Sequence, residues 1–326
     1  MSNLKASLLA AVVFLVVGYG QAVAQDLQAR CIVVDSDAGL DDMRAIAALV
    51  STGQIAAIVV TEGIARTEQG AGAIEELLKR GGISLPVVPG RSPSLARTHE
   101  EQPNLAAWRA NAERLDGLLP EPVKPTNSVP DDIGAKLVEL TRHCRHVSLI
   151  VIGPWTNFMF YGPLLLEKID RVIVQGRPDP DEIEGEPSGF NCTYDLESCL
   201  AAFDMLAGRR LRRDRRLKAV WVDIPHSPEG CGMAEPGVAP TGERVFAFSP
   251  TVSWYADLES AGGMGPVIAD LLKANPDGWS KTSLWDDLTV LYVRRPDLFK
   301  AGGGHLEPCI PAETARKLLA RYMGGN

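Results

Sequence analysis

The stretch CIVVDSDAGLDD, residues 31–42, decides how this chain folds. It begins with an apolar, β-branched run over Cys31–Val34, which is the composition of a buried strand. Gly39 then permits a tight turn, and a helix is predicted over Asp42–Ser51. The segment is therefore a strand that turns directly into a helix, which is the repeating unit of an α/β fold.

Short β-branched runs and longer helical patterns continue to alternate along the chain. Further strands are predicted over Ala56–Thr61, Leu85–Pro89, Val147–Ile152, Arg171–Gln175 and Lys218–Val222, and further helices over Glu68–Lys79 and Asp195–Leu206. This alternation predicts an open, mostly parallel sheet with helices on both faces, a Rossmann-like core that binds ligands at the carboxyl ends of its strands. The polar, proline-containing stretch from Arg91 to Asp131 is interpreted as a partly helical excursion over the sheet edge.

The composition excludes several classes of protein. The chain has 326 residues, 45% of them hydrophobic, and this is ample for a sizeable core. Its 23% charged content is not that of a disordered chain or a multi-span membrane protein. The 41 acidic residues outnumber the 33 basic ones, and the net charge of −8 argues against a nucleic-acid binder.

The first residues have the layout of a secretory signal peptide. Lys5 precedes an apolar run over Leu8–Val17, and Ala22-Val23-Ala24 provides a small-residue cleavage site. A membrane-tethering helix is the alternative, but the run is shorter than the roughly 20 apolar residues of a stable anchor. We therefore expect cleavage after Ala24, export to the periplasm or the cell exterior, and a single domain over residues 25–326.

Export would allow the six cysteines to form disulfides, in any of fifteen complete pairings. Buried free thiols remain the alternative. The spacing of the cysteines shows no CxxC pattern, which disfavours a zinc site.

The four aspartates of the opening segment are its chemically informative residues. Asp35 and Asp37 point the same way if the strand continues, because side chains repeat every second residue. Asp41 and Asp42 fall at the start of the helix. One such carboxylate can cap a helix, but four so close together repel one another, and a hard divalent cation offsets that repulsion. Metal binding is therefore favoured over simple capping.

Two other segments offer oxygen ligands. Ser283–Val290 contains a second acidic pair, Asp286 and Asp287, at the start of an apolar helix, where helix capping and metal ligation fit the pattern equally. IGPWTN, residues 152–157, follows a predicted strand, and its Gly-Pro turn leaves carbonyls without strand partners that could meet a cation. An ordinary strand-to-helix loop is the alternative for this turn.

Taken together, these residues resemble the inosine-uridine-preferring nucleoside hydrolase family, and the resemblance covers most of the chain after residue 24. The segment VDSDAGLDD, residues 34–42, looks like the aspartate signature of that family. Six further segments are similar to family motifs in the same order: LPVVPG (85–90), IGPWTN (152–157), RVIVQG (171–176), FNCTYDLES (190–198), VWVDIP (220–225) and WDDLTV (285–290).

The resemblance implies calcium-dependent hydrolysis of the N-glycosidic bond of a ribonucleoside or a related N-ribosyl compound. It implies that calcium is held at the strand ends by Asp37, Asp42, Asp286 and the backbone carbonyl of Ile152. It also implies that Asp37 is the base that takes a proton from a water molecule on the calcium ion. The remaining implied roles are sugar binding by Asp41 and Asn191 and bracing of the cluster by Asp35. Dimers or tetramers are implied as well.

Three positions depart from the family pattern. Trp285 stands where the family commonly has a histidine that helps the base to leave. Ile64 stands where a sugar-contacting asparagine is usual, and Gly189 where a glutamate is usual. These changes remove contacts expected at the sugar 5′ side and at the leaving group, so no purine or uridine preference is carried over. Trp285 is a candidate to stack on a base, and packing is its equal alternative.

Two other functions remain open. A calcium-stabilised nucleoside- or sugar-binding protein would keep the pocket without the chemistry. An aspartyl-phosphate phosphatase would use Asp35 as nucleophile and Asp37 as a magnesium ligand, with Asp286 and Asp287 as the second acidic pair.

Overall fold

The structure, a computed structural model, describes residues 30–94, 104–176, 189–211, 218–224, 237–238, 244–245, 248–276, 282–302 and 305–325. The expected signal peptide, residues 1–24, lies outside these residues. Among the described helices, none has the length and apolar character needed to cross a bilayer.

An eight-stranded sheet forms the centre of the fold. Its strands are β1 (Arg30–Ser36), β2 (Ile55–Val60), β3 (Val87–Pro89), β4 (His146–Val151), β5 (Ile169–Gln175), β6 (Lys218–Val222), β9 (Phe299–Gly302) and β10 (His305–Pro308), and a separate short pair is formed by β7 (Gly237–Val238) and β8 (Arg244–Val245). The order in the large sheet is β3-β2-β1-β4-β5-β6-β10-β9. Every pairing in it is parallel except that of β9 with β10. The predicted open, mostly parallel sheet is therefore confirmed.

Helices cover both faces of this sheet. They are α1 (Leu40–Val50), α2 (Thr67–Arg80), α3 (Leu105–Ala112), α4 (Ile133–Leu140), α5 (Phe158–Leu165), α6 (Phe190–Tyr194), α7 (Leu196–Leu211), α8 (Val252–Ala261), α9 (Gly265–Ala274), α10 (Asp287–Arg294) and α11 (Ala312–Met323). Ile32 and Val34 of β1 pack into one core with α1, α2 and α8 to α11. Cys31 and Val33 pack into a second core with α4, α5 and α7. The two-residue repeat of a strand thus supplies both layers.

The predicted elements lie within a few residues of the observed ones, with one difference. The helix predicted over Asp195–Leu206 corresponds to α7, and a short helix that was not predicted, α6, precedes it; Asp195, with φ −134° and ψ 75°, separates the two. The excursion from Arg91 to Asp131 does contain a helix, α3.

The structure shows disulfide pairings that the sequence left open. Cys31 at the start of β1 is bonded to Cys144 just before β4, and Cys192 of α6 is bonded to Cys199 of α7. Cys309 is also disulfide-bonded. None of the described cysteines is a free thiol.

Candidate metal and catalytic site

The aspartate segment lies at the carboxyl end of the central strand. Asp35 is opposite Val59 of β2 and Val151 of β4, so the ends of three parallel strands meet here. Strand β1 ends at Ser36, and Ala38 adopts a left-handed φ of 57° before α1 begins. This sharp turn brings the residue between them, Asp37, alongside the first turn of α1.

Three carboxylates from two distant segments of the chain converge at this point. Ligand oxygens of Asp41, Asp42 and Asp286 all lie within 4.8 Å of one another. Asp42 and Asp286 are buried, and Asp41 is the partly exposed member. We call these three residues and Asp37, which is buried against Asp42, the carboxylate cluster. The predicted sugar-binding residue Asp41 therefore lies as close to Asp42 and Asp286 as a metal ligand would.

Hydrogen bonds from the turn fix the orientation of Asp42. Its Oδ1 accepts from the Ser36 hydroxyl at 2.5 Å and from the Asp37 amide at 3.1 Å, and its Oδ2 accepts from the Gly39 amide at 3.0 Å. A carboxylate has about four acceptor sites, so three donors leave one for a further partner.

Asp37 is enclosed by two glycine-containing loops. A Cβ added at Gly63 would lie 2.3 Å from Asp37 Oδ2, and one added at Gly153 would lie 2.6 Å from the Asp37 amide nitrogen. The Ile64 amide donates to Asp37 Oδ2 at 3.1 Å. Only residues without a side chain allow both loops to approach Asp37 this closely.

The electrostatics of the carboxylate cluster favour a cation. Burial, together with the charge of Asp41, raises the pKa of Asp42 to about 7. Burial and the charge of Asp42 raise the pKa of Asp37 well above its ordinary range. Burial, followed by the charge of Asp41, does the same for the pKa of Asp286. Ionised carboxylates packed in this way repel one another, and a hard divalent cation is the partner that their oxygen atoms suit.

The backbone carbonyl of Ile152 lies next to Asn191, one of the two predicted sugar-binding residues. The side-chain amide of Asn191 donates to Ile152 O at 3.0 Å. A carbonyl oxygen has two lone pairs, so this bond does not exclude a second partner. Asn191 lies on α6, which the Cys192–Cys199 disulfide ties to α7, and Thr156 donates to Asp195 at 2.5 Å between the two helices.

Asp35 is held behind the cluster by a set of donors. Its Oδ1 accepts from Thr61 at 2.6 Å and from Asn157 at 3.4 Å, and its Oδ2 accepts from Tyr161 at 2.8 Å. Burial raises the pKa of Asp35 to about 7 despite these hydrogen bonds. The roles of Thr61 and Tyr161 were not found from the sequence. Thr61 directly follows β2, so the parallel pairing of β1 with β2 was the available signal for it.

The two carboxylates of the acidic pair at the start of α10 have different partners. Asp286 joins the carboxylate cluster, whereas Asp287 forms a fully buried ion pair with Arg44 of α1 at 2.8 Å. Arg44 also donates to the carbonyl of Ser283 at 2.7 Å. This pair anchors the start of α10 to α1 and so fixes where Asp286 lies. The local sequence pattern did not distinguish the two aspartates, and only the family resemblance assigned Asp286 to the metal.

The three positions that depart from the family pattern take ordinary structural places. Trp285 and Ile64 are partly buried and pack against the core that contains α1. Gly189 is the residue before α6, and its carbonyl accepts from the Cys192 amide at 3.2 Å.

A second group of metal-ligating residue types occurs at the opposite end of β1. It consists of Cys31, Cys144 and His143. The two sulfur atoms are joined in a disulfide, so they are not thiolate ligands in this structure.

Comparisons with known proteins identify one family. The family model described as inosine-uridine preferring nucleoside hydrolase matches residues 32–203, which is more than half of the chain. No curated protein sequence matches the chain.

Solved structures of three nucleoside hydrolases are similar in fold. An inosine-guanosine nucleoside hydrolase is 14% identical with a TM-score of 0.59, covering 90% of this chain and 98% of its own. A plant nucleoside hydrolase is 16% identical with a TM-score of 0.56, covering 91% and 99%. An inosine-uridine preferring nucleoside hydrolase from Bacillus anthracis is 14% identical with a TM-score of 0.55, covering 90% and 99%.

Proposed function

This chain belongs to the inosine-uridine preferring nucleoside hydrolase family and is a hydrolase of N-glycosidic bonds, and we propose that it cleaves nucleosides with the help of a bound calcium ion. The observation that carries the proposal is the carboxylate cluster at the strand ends. Asp41, Asp42 and Asp286 come from two distant segments and still lie within 4.8 Å of one another. A buried group of negative charges of this kind has a direct use as a cation site.

The calcium ligands in this proposal are Asp37, Asp42, Asp286 and the carbonyl of Ile152, with Asp41 at the exposed side. Calcium bound there would lower the pKa of water and orient it for attack on the sugar. The fit rests on the oxygen-only donor set and on the absence of a described cationic side chain that pairs with Asp42 or Asp286.

Asp37 is the proposed general base. The Ile64 amide holds Asp37 Oδ2 at 3.1 Å, so Oδ1 is the oxygen that receives the proton from the attacking water. The pKa of Asp37 is raised, first by burial, and a raised pKa makes a carboxylate a better proton acceptor.

Asp41 and Asn191 are the proposed sugar contacts. Asp41 is the partly exposed member of the cluster, and Asn191 is partly buried beside Ile152. Carboxylates around the sugar also stabilise the positive charge that develops on the ring as the glycosidic bond breaks. Asp35, enclosed by its three donors, braces the cluster and does not contact the substrate.

Trp285 is proposed to contact the base, since it immediately precedes Asp286 and is partly buried. Its packing against the core gives it a fixed position from which a ring face could stack on a purine or a pyrimidine.

The phosphatase alternative is not favoured by the surroundings of Asp35. A nucleophilic aspartate must reach its substrate, but Asp35 is completely buried and hydrogen-bonded at both oxygens. The binding-protein alternative differs from the proposal only in turnover, and the assay below separates the two.

The test is release of reducing sugar from a panel of purine and pyrimidine nucleosides in calcium. We expect EDTA to abolish release and Asp37→Asn to lower kcat by at least about a hundredfold, the usual contribution of a positioned base. The matched control is Asp297→Asn, at an exposed carboxylate paired with Arg295, which should leave kcat unchanged.

Each alternative predicts a different result in the same experiment. Calcium-dependent nucleoside binding without sugar release would establish the binding protein. Phosphate release from phosphomonoesters in magnesium would establish the phosphatase. Sugar release that survives both EDTA and Asp37→Asn would reject the proposed mechanism.

We also propose that the chain is exported after cleavage behind Ala24, that residues 25–326 form one domain, and that the protein assembles as a dimer or tetramer. The disulfides Cys31–Cys144 and Cys192–Cys199 are compatible with export. Amino-terminal sequencing of the protein recovered outside the cytoplasm would test the cleavage site, and light scattering would test the assembly.

A further inference from the structure

The loop between β2 and α2 forms one wall around Asp37. We call residues 61–65 of this loop the Asp37 loop. Its Ile64 amide donates to Asp37 Oδ2 at 3.1 Å, and its Ala65 amide donates to the Asp37 carbonyl at 2.9 Å. The close approach of Gly63 to Asp37 leaves no space for the loop to shift inward. The position of the Asp37 side chain therefore depends on what holds this loop from outside.

Arg109 of α3 holds the Asp37 loop from outside. Its Nε donates to the Ile64 carbonyl at 2.9 Å, and its Nη2 donates to the Gly63 carbonyl at 2.8 Å. These carbonyls belong to the segment whose amide points at Asp37. A guanidinium has donors in a rigid fork, so two adjacent carbonyls bound by one side chain fix the orientation of the peptide between them.

The same guanidinium connects the Asp37 loop to the helix that carries Asn191. Arg109 Nη2 also approaches Glu62 Oε1 at 3.4 Å and the Tyr194 hydroxyl at 3.1 Å. Tyr194 donates to Glu62 Oε1 at 3.0 Å. Tyr194 and Asn191 are three residues apart on α6, so the proposed base and the proposed sugar contact share one support.

A second contact from the end of α3 shows that the helix is docked on this loop. Glu113, directly after α3 and four residues beyond Arg109, accepts from the Arg66 amide at 3.0 Å and from Arg66 Nε at 2.8 Å. Residues four apart lie on the same face of a helix. That face thus binds the chain on both sides of Ala65, and the excursion predicted between Arg91 and Asp131 supports the site.

We propose that Arg109 is a positioning residue for the hydrolysis: it fixes the Asp37 loop so that the Ile64 amide holds Asp37 in the orientation of the general base. The proposal rests on the proposed function for its kinetic consequence. Its structural consequence, the ordering of the loop by Arg109, is independent of any reaction. Arg109 itself does not touch the reacting atoms in this arrangement.

The kinetic test compares Arg109→Ala, Arg109→Lys and Tyr194→Phe at saturating calcium. Misplacing a catalytic group by about 1 Å costs up to about a hundredfold. We therefore expect Arg109→Ala to lower kcat by about ten- to a hundredfold and to change KM by less than about threefold. Lysine keeps the charge but loses the fork, so Arg109→Lys should fall between wild type and Arg109→Ala. Tyr194→Phe removes one contact of Arg109 but leaves both carbonyl contacts intact, so it should lower kcat less than Arg109→Ala does.

Arg80→Ala is the matched control. Arg80 lies on α2, is paired with Glu76 at 3.3 Å, and is not part of the site. It should leave kcat and KM unchanged. Circular dichroism of each variant establishes that it is folded, and if Arg109→Ala does not fold, Arg109→Lys decides the question.

A second readout does not require activity. Hydrogen–deuterium exchange in the peptide that covers residues 61–65 should be at least about tenfold faster in Arg109→Ala than in wild type, while peptides from α9 remain unchanged. Unchanged exchange would overturn the positioning role even if no nucleoside proves to be a substrate.

The kinetic outcomes separate the two proposals. If wild type is active and needs Asp37 but Arg109→Ala keeps its kcat within twofold, the positioning role is wrong and the proposed function stands. A loss confined to KM would also overturn it, because it would identify Arg109 as a substrate contact. If wild type releases no sugar from any nucleoside, the proposed function fails, and the exchange experiment alone decides the role of Arg109.

Discussion

Replacing Asp286 by asparagine tests whether a cation holds the carboxylate cluster together. Asp286 is buried within 4.8 Å of Asp41 and Asp42. The pKa of Asp42 rises from its ordinary value of 3.8 to about 7, mainly because of burial. That rise corresponds to about 4 kcal/mol for keeping one such carboxylate ionised above pH 7 without a cation. The pKa of Asp286 is itself raised well above its ordinary value, first by burial and then by the charges of Asp41 and Asp42, so replacing this carboxylate by a neutral amide should stabilise the metal-free protein.

Calcium, in contrast, should stabilise wild type more than the Asp286→Asn variant. At a hundredfold excess over its dissociation constant, a ligand that binds only the folded state adds about 2.7 kcal/mol to the free energy of unfolding. For a chain of this size that is about 4 °C in Tm. Because the Asp286→Asn variant lacks one proposed ligand, calcium should raise its Tm by less than about 1 °C.

The assay is thermal unfolding at pH 8, with EDTA or calcium, of wild type, Asp286→Asn and the exposed control Asp297→Asn. The control should behave as wild type in both conditions, since an exposed ion pair contributes little. A calcium shift in Asp286→Asn equal to that of wild type would refute the ligand assignment. A metal-free variant less stable than wild type would refute the electrostatic argument.

Three further predictions concern stability. Arg44→Met should lower the free energy of unfolding by about 3–5 kcal/mol because it leaves Asp287 buried without its partner, whereas adding Asp287→Leu should restore most of the loss in urea denaturation. Replacing both Cys31 and Cys144 by serine should cost about 4–5 kcal/mol in the same measurement, since this disulfide closes a loop with a sequence separation of 113; a cost below about 1 kcal/mol would contradict the loop-entropy argument. The metal-free protein should lose stability as the pH rises from about 4 to 7, because the pKa of Asp42 is higher in the folded state than in the unfolded chain. Saturating calcium should remove this loss. Urea midpoints that do not fall across that pH range in EDTA would contradict this prediction.

The strands and helices whose formation depends on residues close together in the sequence were predictable. Strand β1, the turn after it and helix α1 follow from a β-branched run, a glycine and a helical pattern within twenty residues. The alternation of such units leads to a parallel sheet with helices on both faces, and the structure confirms it. The short helix α6 was not predicted, because the contacts that hold it, the Cys192–Cys199 disulfide and the Thr156–Asp195 hydrogen bond beside it, come from tertiary packing.

The residue types of the candidate site were predictable, but the partner of each carboxylate was not. The sequence pointed to Asp41, Asp42 and Asp286, and the structure brings them together. It did not show that Asp287, next to Asp286, turns away to pair with Arg44. Two adjacent residues at the start of a helix point in different directions, and only the position of α1 against α10 decides which one meets the cluster.

The sequence by itself determined the α/β architecture, the concentration of carboxylates at the end of β1 and the family resemblance, because each is encoded in residues close together in the chain. Only the tertiary structure decided which cysteines are bonded, what encloses Asp35, and that Arg109 supports the loop around Asp37. The Cys31–Cys144 disulfide, the Tyr161–Asp35 bond and the bond from Arg109 to Ile64 join residues 45 to 126 positions apart. Their partners are chosen by the packing of helices on the sheet, which no local pattern specifies.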